Sequence, residues 1–283
     1  FSSDAKQMVS GCRDGDVQLW SVQTGERIRL FQGQKGSIYQ IRFSADNQYL
    51  AAVATSGRIL VWDTPSGEIV HTIDNGRQPV TCCAFTGDHT LITGSRNNQI
   101  QCWDLSTGTQ TQSLTGHTDW VRTLAIHPDG KHLATGSYDN TVRIWDLTSG
   151  TQQRILTHHT RPVISCAITP DGEHLVSLGL DGQLVHWSWE TGDKLHVIDA
   201  HDEPGAGLAL YGDNHVVTVG QDCWARTFDL RTGSPVHQLP MPGSLDSVAT
   251  AHGLVAIGDR TGNIWLFSIV DPVLLSTAHA SSD

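Results

Sequence analysis

Fifteen histidines, six cysteines and 29 carboxylates are the side chains of this 283-residue sequence that could bind a metal, attack as nucleophiles or exchange protons. Spacing decides which of those chemistries is open. Zinc sites draw imidazole or thiolate ligands from short paired spacings, yet no histidines stand as H-x-x-x-H or H-E-x-x-H, and no cysteines as C-x-x-C. The adjacent His158-His159 pair occupies a turn that reads Gly116-His117 elsewhere in the chain, and Cys83, Cys102 and Cys166 fall inside short apolar segments as fillers. G-x-S-x-G, G-x-x-x-x-G-K-[ST] and G-x-G-x-x-G are all missing. Many aspartates sit in phrases such as SADNQ, HPDGK and TPDGE, where Asp and Gly serve the backbone of a turn. The residues therefore point to no catalytic group, no metal and no cofactor. Arginine is the exception to this blandness: 14 arginines stand against four lysines, and a guanidinium offers forked donors to carboxylate or phosphate.

Composition sets the outer limits. At 38% hydrophobic and 17% charged residues the chain can build a sizeable core and is neither a disordered nor a fibrous sequence. A net charge of −11 argues against nucleic acid, whose phosphates call for a positive field. No run of eighteen apolar residues and no signal peptide is visible, so a membrane is not expected. Six cysteines without a scaffold pattern, and no N-x-S/T acceptor, point to a reducing, cytoplasmic setting. The chain opens on Phe1, which reads as a fragment of a longer multidomain protein.

The elements that position these residues are repeats. An aromatic followed by Asp or Ser closes a short apolar run at Trp20, Trp62, Trp103, Trp145, Trp187, Phe228 and Phe267, with spacings of 42, 41, 42, 42, 41 and 39. The fourth copy is the clearest: VRTLAI, HLATGS, TVRIWD and TQQRIL read as four strands, with HPDGK, YDN and LTSG as the turns between them. Seven units of about 41 residues with four strands each predict an all-β, seven-bladed β-propeller of four-stranded antiparallel blades, one domain over residues 1–283.

These residues resemble the tryptophan-aspartate (WD) repeat β-propeller family over essentially the whole chain. The resemblance implies a hydrogen-bonded chain within a blade, with His117, Ser137, Asp139 and Trp145 at its four places. Buried polar groups need such partners. The other copies depart from it. The fifth keeps His159, Asp181 and Trp187 with Gly179 at the Ser place; the sixth has Phe228 for Trp; the third has Asn97 for Asp; the second has Gln34 and Ser56 at the His and Asp places; the seventh has lost nearly all of it. Blade four is expected to be the most rigid, blades two and seven the most easily opened. Blade one lacks its innermost strand, which a segment before Phe1 would complete, and Val273 to Ala278 fit the outer strand of blade seven.

The resemblance further implies that the turns on one face, around a central channel, form the partner-binding side. The residue before the second-turn Asp place reads Arg13, Thr55, Arg96, Tyr138, Leu180, Gln221 and Arg260. Together with Trp120 and Trp224, this makes Arg13, Arg96, Trp120, Tyr138, Trp224 and Arg260 the partner-binding candidates. The expected function is a non-catalytic protein-protein interaction scaffold or sensor domain of a larger signalling or regulatory protein. Two alternatives are a ligand-reading module for acidic or phosphorylated peptides and a propeller enzyme. Expected partners are a protein or peptide, acidic in character, and other domains of the same longer chain.

Overall fold

The computed structural model describes residues 1–87, 89–268 and 274–279. Its 27 strands, among the described residues, pair into seven antiparallel sheets, and none of those residues is helical: this is a seven-bladed β-propeller. Blade one has three strands (Gln7–Gly11, Val17–Ser21 and Arg27–Phe31) and lacks the innermost; each other blade has four, in sequence order from inner to outer. Blade four runs Val121–Ile126, His132–Ser137, Thr141–Asp146 and Thr151–Thr157, one residue longer at the last end than the sequence phrase TQQRIL. The segment assigned to the outer edge of blade seven pairs there as Leu274–His279 against Asn263–Ser268.

The repeat is visible in the register. In all seven blades the pairing of third and outer strands slips beside the closing aromatic, between Leu19/Trp20, Val61/Trp62, Cys102/Trp103, Ile144/Trp145, His186/Trp187, Thr227/Phe228 and Leu266/Phe267. A bulge raises local twist and re-aims the aromatic. The Asp after it ends the strand by turning the backbone: Asp104 accepts the Ser106 N–H at 2.7 Å and Asp146 the Thr148 N–H at 2.7 Å.

The chain divides into two compact units, Phe1–Arg122 and Thr123–His279. In each, the core lies between the faces of successive blades. In the first, Ala51, Val53, Ile59 and Val61 of blade two pack with Val80, Cys83, Leu91 and Trp103 of blade three. In the second, Ala134, Val142 and Ile144 of blade four meet Val163, Leu175, Val185 and Trp187 of blade five. Second strands are buried along nearly their whole length, whereas outer strands such as Thr151–Thr157 are exposed except at Leu156. That gradient follows from sheet stacking, because only the outer strand has no blade on either face to cover it. Burial pushes the Cys83 thiol up to about 12 and that of Cys82 to about 11, so both behave as apolar core side chains. No helix among the described residues is long and apolar enough to cross a membrane.

Candidate functional site

Two kinds of polar cluster stand out, one holding blades together and one presenting groups to the outside. The first is complete in blade five. Asp181 accepts from His159 Nδ1, 3.1 Å from both carboxylate oxygens; His159 Nε2 lies 2.8 Å from Ser177 Oγ; and Ser177 accepts the Trp187 indole N–H at 2.9 Å. Burial alone would raise the Asp181 pKa, but the His159 hydrogen bond and charge, with the Thr160 and Gln183 N–H groups, outweigh it and hold the carboxylate at about 2.

The geometry corrects the reading of this blade, which put Gly179 at the hydroxyl place and so treated the chain as broken. The hydroxyl comes from Ser177, two residues earlier. Gly179 has a different task, since a Cβ there would lie 2.6 Å from His159 Nδ1. Tryptophan finds its acceptor ten residues upstream in other blades too: Trp20 donates to Ser10 at 2.8 Å, Trp103 to Thr93 at 2.9 Å and Trp145 to Thr135 at 2.8 Å. In blade four Ser137 Oγ accepts the Asp139 N–H at 3.0 Å, and Asp139 holds Thr141 and Arg143. Blade six keeps His201 against Asp222 and Thr218, at 2.9 and 3.0 Å, with Phe228 closing the strand. Where the hydroxyl is gone the indole turns elsewhere: Trp62 donates to the Gln32 carbonyl at 3.2 Å; blade seven closes on Phe267, and its Trp265, two residues earlier, donates to Asp259 at 3.1 Å.

The second kind of cluster lies at the turns between second and third strands. Thr55, Arg96, Leu180, Gln221 and Arg260 share one backbone contact, each donating its N–H to the residue just before or at the start of its blade's inner strand, at 2.8 to 3.1 Å. They are equivalent positions, but their side chains do different things. Arg13 is exposed, its carbonyl accepting from Ser37 Oγ. Arg260 is engaged, its Nε 2.9 Å from Asp246 Oδ1. Trp224 lies under Arg226, whose guanidinium sits 5.3 Å from the ring centroid and 2.6 Å from Asp222 Oδ2. Tyr138 is half-buried at the corresponding turn of blade four.

Arg96 differs from all of these. Its guanidinium stacks 3.9 Å above the Trp120 ring and 5.5 Å from the Tyr39 ring, and it donates through Nη2 to the Tyr39 hydroxyl. Its Nε is buried without a partner. Arg122 also stands over the Tyr39 ring, 6.0 Å from its centroid. Among the described residues, no carboxylate makes an ion pair with Arg96 or Arg122. The structure thus brings together Arg96 and Trp120 of the sequence candidates and adds Tyr39 and Arg122. Those two occupy one register place, second residue of the inner strands Ile38–Phe43 and Val121–Ile126. Lining up that place across the repeats is the signal that could have found them.

Comparison with known proteins gives a consistent picture. The family described as IFT122 first beta-propeller matches residues 37–283, and the WD domain, G-beta repeat family matches residues 1–21. Among curated relatives, the chain is 27% identical over 148 residues to nuclear distribution protein nudF of Aspergillus niger, covering 44% of this chain and 33% of that protein. It is 29% identical over 162 residues to nuclear distribution protein PAC1 of Arthroderma otae, covering 46% and 33%. It is 32% identical over 114 residues to the Lissencephaly-1 homolog of Caenorhabditis briggsae, covering 40% and 29%. The matched stretch spans about a third of the length of these relatives.

Proposed function

Because this chain belongs to the WD-repeat family of the IFT122 first beta-propeller, we propose that it is a non-catalytic interaction platform, one propeller over residues 1–283 within a longer cytoplasmic protein, that docks an acidic or phosphorylated peptide segment of a partner. The observation that carries this reading is the Arg96 site. A cation stacked on Trp120 and bonded to Tyr39, with a second cation at Arg122 and, among the described residues, no carboxylate in an ion pair with either, is held in place without an ionic partner. An arginine whose orientation is already fixed loses little conformational freedom when an anion arrives, so its forked donors add affinity at low entropic cost. On a protein of net charge −11 such a spot selects by local chemistry, since the overall field repels anions. The six cysteines, all among the described residues, form no disulfide, which fits a reducing compartment.

The test is binding of the purified chain to an array of acidic, phosphorylated and neutral peptides, read side by side with Arg96→Glu. Preferential capture of anionic peptides that the variant loses supports the reading; capture indifferent to peptide charge, or unchanged by the variant, removes it.

A further inference from the structure

A separate cluster lies on the turn between the inner and second strands of blade four. His127, Asp129 and His132 each offer a ligand atom, and these atoms all lie within 4.8 Å of one another. His127 Nδ1 is 3.0 Å from Asp129 Oδ1 and His132 Nδ1 is 2.6 Å from Asp129 Oδ2. The side chains are 14%, 36% and 34% exposed, so the group is ordered by its surroundings yet open to solvent.

The orientation of His127 is what makes this more than a hydrogen-bonded turn. Its Nε2 lies 3.0 Å from the carbonyl oxygen of Gly172, on the equivalent turn of blade five. A carbonyl can only accept, so Nε2 carries a proton, and Nδ1, which accepts the Asp129 backbone N–H at 3.2 Å, faces the Asp129 carboxylate. Two electron-rich atoms, Nδ1 and Oδ1, then face each other at 3.0 Å. Oδ1 accepts the Lys131 and His132 backbone N–H groups at 2.7 and 3.1 Å, which fix the carboxylate beside that nitrogen. A cation placed there would take a lone pair from each. Imidazoles that bind metals characteristically give their other N–H to a backbone carbonyl or carboxylate, which fixes tautomer and ring plane. Two further contacts hold that plane here. Trp189 stacks on His127 with centroids 4.6 Å apart, and residue 172 is a glycine whose Cβ, if present, would lie 2.6 Å from Nε2.

We propose that His127 Nδ1, the Asp129 carboxylate and His132 form a binding site for a divalent cation of the zinc class. Two imidazoles and one carboxylate suit zinc, nickel or copper and are a poor set for magnesium or calcium, which want oxygen alone. Ligand atoms about 2.0–2.1 Å from a tetrahedral zinc stand about 3.3 Å apart, so the 3.0 Å contact of His127 opens slightly and the 2.6 Å contact of His132 opens by about 0.7 Å as the metal replaces its hydrogen bond. Binding displaces the proton that His132 shares with Asp129 and leaves the fourth position to water.

The probe is zinc chloride alone, titrated calorimetrically into the reduced chain, with nickel and magnesium chlorides in parallel. Expected is one site for zinc and for nickel, with no heat from magnesium. Affinity should fall at least tenfold in His127→Gln/His132→Gln and in Asp129→Asn, and stay unchanged in Asp171→Asn on the neighbouring turn. Circular dichroism of each variant confirms that it is folded. No zinc binding in the folded wild-type chain, or binding that the His127/His132 variant retains, overturns the proposal.

Discussion

His159 places its Nδ1 against Asp181, 22 residues further along the chain, within hydrogen-bond distance of both carboxylate oxygens, and both side chains are almost fully buried, at 1% and 7% exposure. The pair ties the turn before the inner strand to the turn after the second strand, and through Ser177 to the indole of Trp187. Removing one member leaves the rest buried without partners, which costs more than the pair itself contributes. Asp181→Ala is therefore expected to destabilise the chain by about 1–3 kcal/mol. Ser56→Ala, at the equivalent place in blade two, removes only one 3.3 Å acceptor of the Arg58 N–H and should cost close to nothing. Denaturant unfolding of the two variants checks this; equal losses would dismiss the buried network as a stabilising device.

The same carboxylate sets an acid limit. Asp181 sits at about 2 in the folded chain against an ordinary value of 3.8. A depressed carboxylate stabilises the fold fully above its unfolded value, and that contribution is lost as the pH falls from about 4 through 2. Wild-type stability should drop across this window more steeply than that of Asp181→Asn. Parallel slopes for the two proteins would mean that the carboxylate is not held as the geometry requires.

Histidine 186 acts in a higher window and with the opposite charge logic. It is buried on the third strand of blade five between His174, at 4.7 Å, and His196, at 5.7 Å between ring centroids. Neither ring nitrogen makes a well-formed hydrogen bond. Burial first, then the His174 and His196 charges, lower its pKa from 6.5 to about 4, while the Leu230 backbone acts weakly in the other sense. The folded chain thus refuses a proton that the unfolded chain accepts: stability is full above about 6.5 and is lost as the pH falls toward 4, by about 3 kcal/mol in total. His186→Val, which puts the side chain of Val61 at the matching place, should flatten the stability profile between pH 6.5 and 4. An unchanged slope would assign that loss to other groups.

How much of this was legible in the sequence depends on distance along the chain. The strands and the closing aromatics could be read because each repeat states them locally, in alternating apolar residues and turn phrases. The hydroxyl that meets tryptophan is Thr135 in blade four and Ser177 in blade five, each two residues before the Ser137 and Gly179 places that the repeat pattern marks, and only the pairing of Trp187 with Leu175 shows that Ser177 faces the indole. Tyr39, Arg96 and Arg122 come from three different blades, and no local spacing announces that they meet. His127, Asp129 and His132 lie close in sequence but at i, i+2, i+5, which becomes a cluster only when the HPDGKH turn folds back on itself.

The outer strand of blade seven gives a test of edge protection. Leu274–His279 pairs with Asn263–Ser268, covering that strand's free N–H and C=O groups. Ending the chain before Leu274 would bare an edge carrying Ile264, Trp265 and Leu266, and bare edges of this kind recruit other strands. Association should appear by light scattering as the concentration rises. A truncated chain that stays monomeric with an unchanged melting temperature would show that this strand contributes nothing to the blade.

At the proposed docking site, charge and shape can be separated because the arginines of the turn row are held differently. Arg260 already answers Asp246 at 2.9 Å with both side chains half exposed, so Arg260→Glu should alter an anionic partner's affinity less than threefold. Arg96 has no such partner, and Arg96→Glu should lower affinity at least thirtyfold by placing a repelling charge beside Trp120. The informative variant is Arg96→Lys. Lysine keeps the charge but loses both the planar stack on Trp120 and the donor to the Tyr39 hydroxyl, so a partner read by forked donors should still weaken about tenfold, whereas one drawn only by charge should bind as before. Trp120→Ala should resemble Arg96→Lys, since without the ring beneath it the guanidinium is free to swing and must be ordered again on binding. Titration of the same phosphorylated peptide into all four variants settles the ranking. Wild-type affinity in Arg96→Lys and Trp120→Ala alike would reduce the site to a point charge, and wild-type affinity in Arg96→Glu would move the docking surface away from this turn altogether.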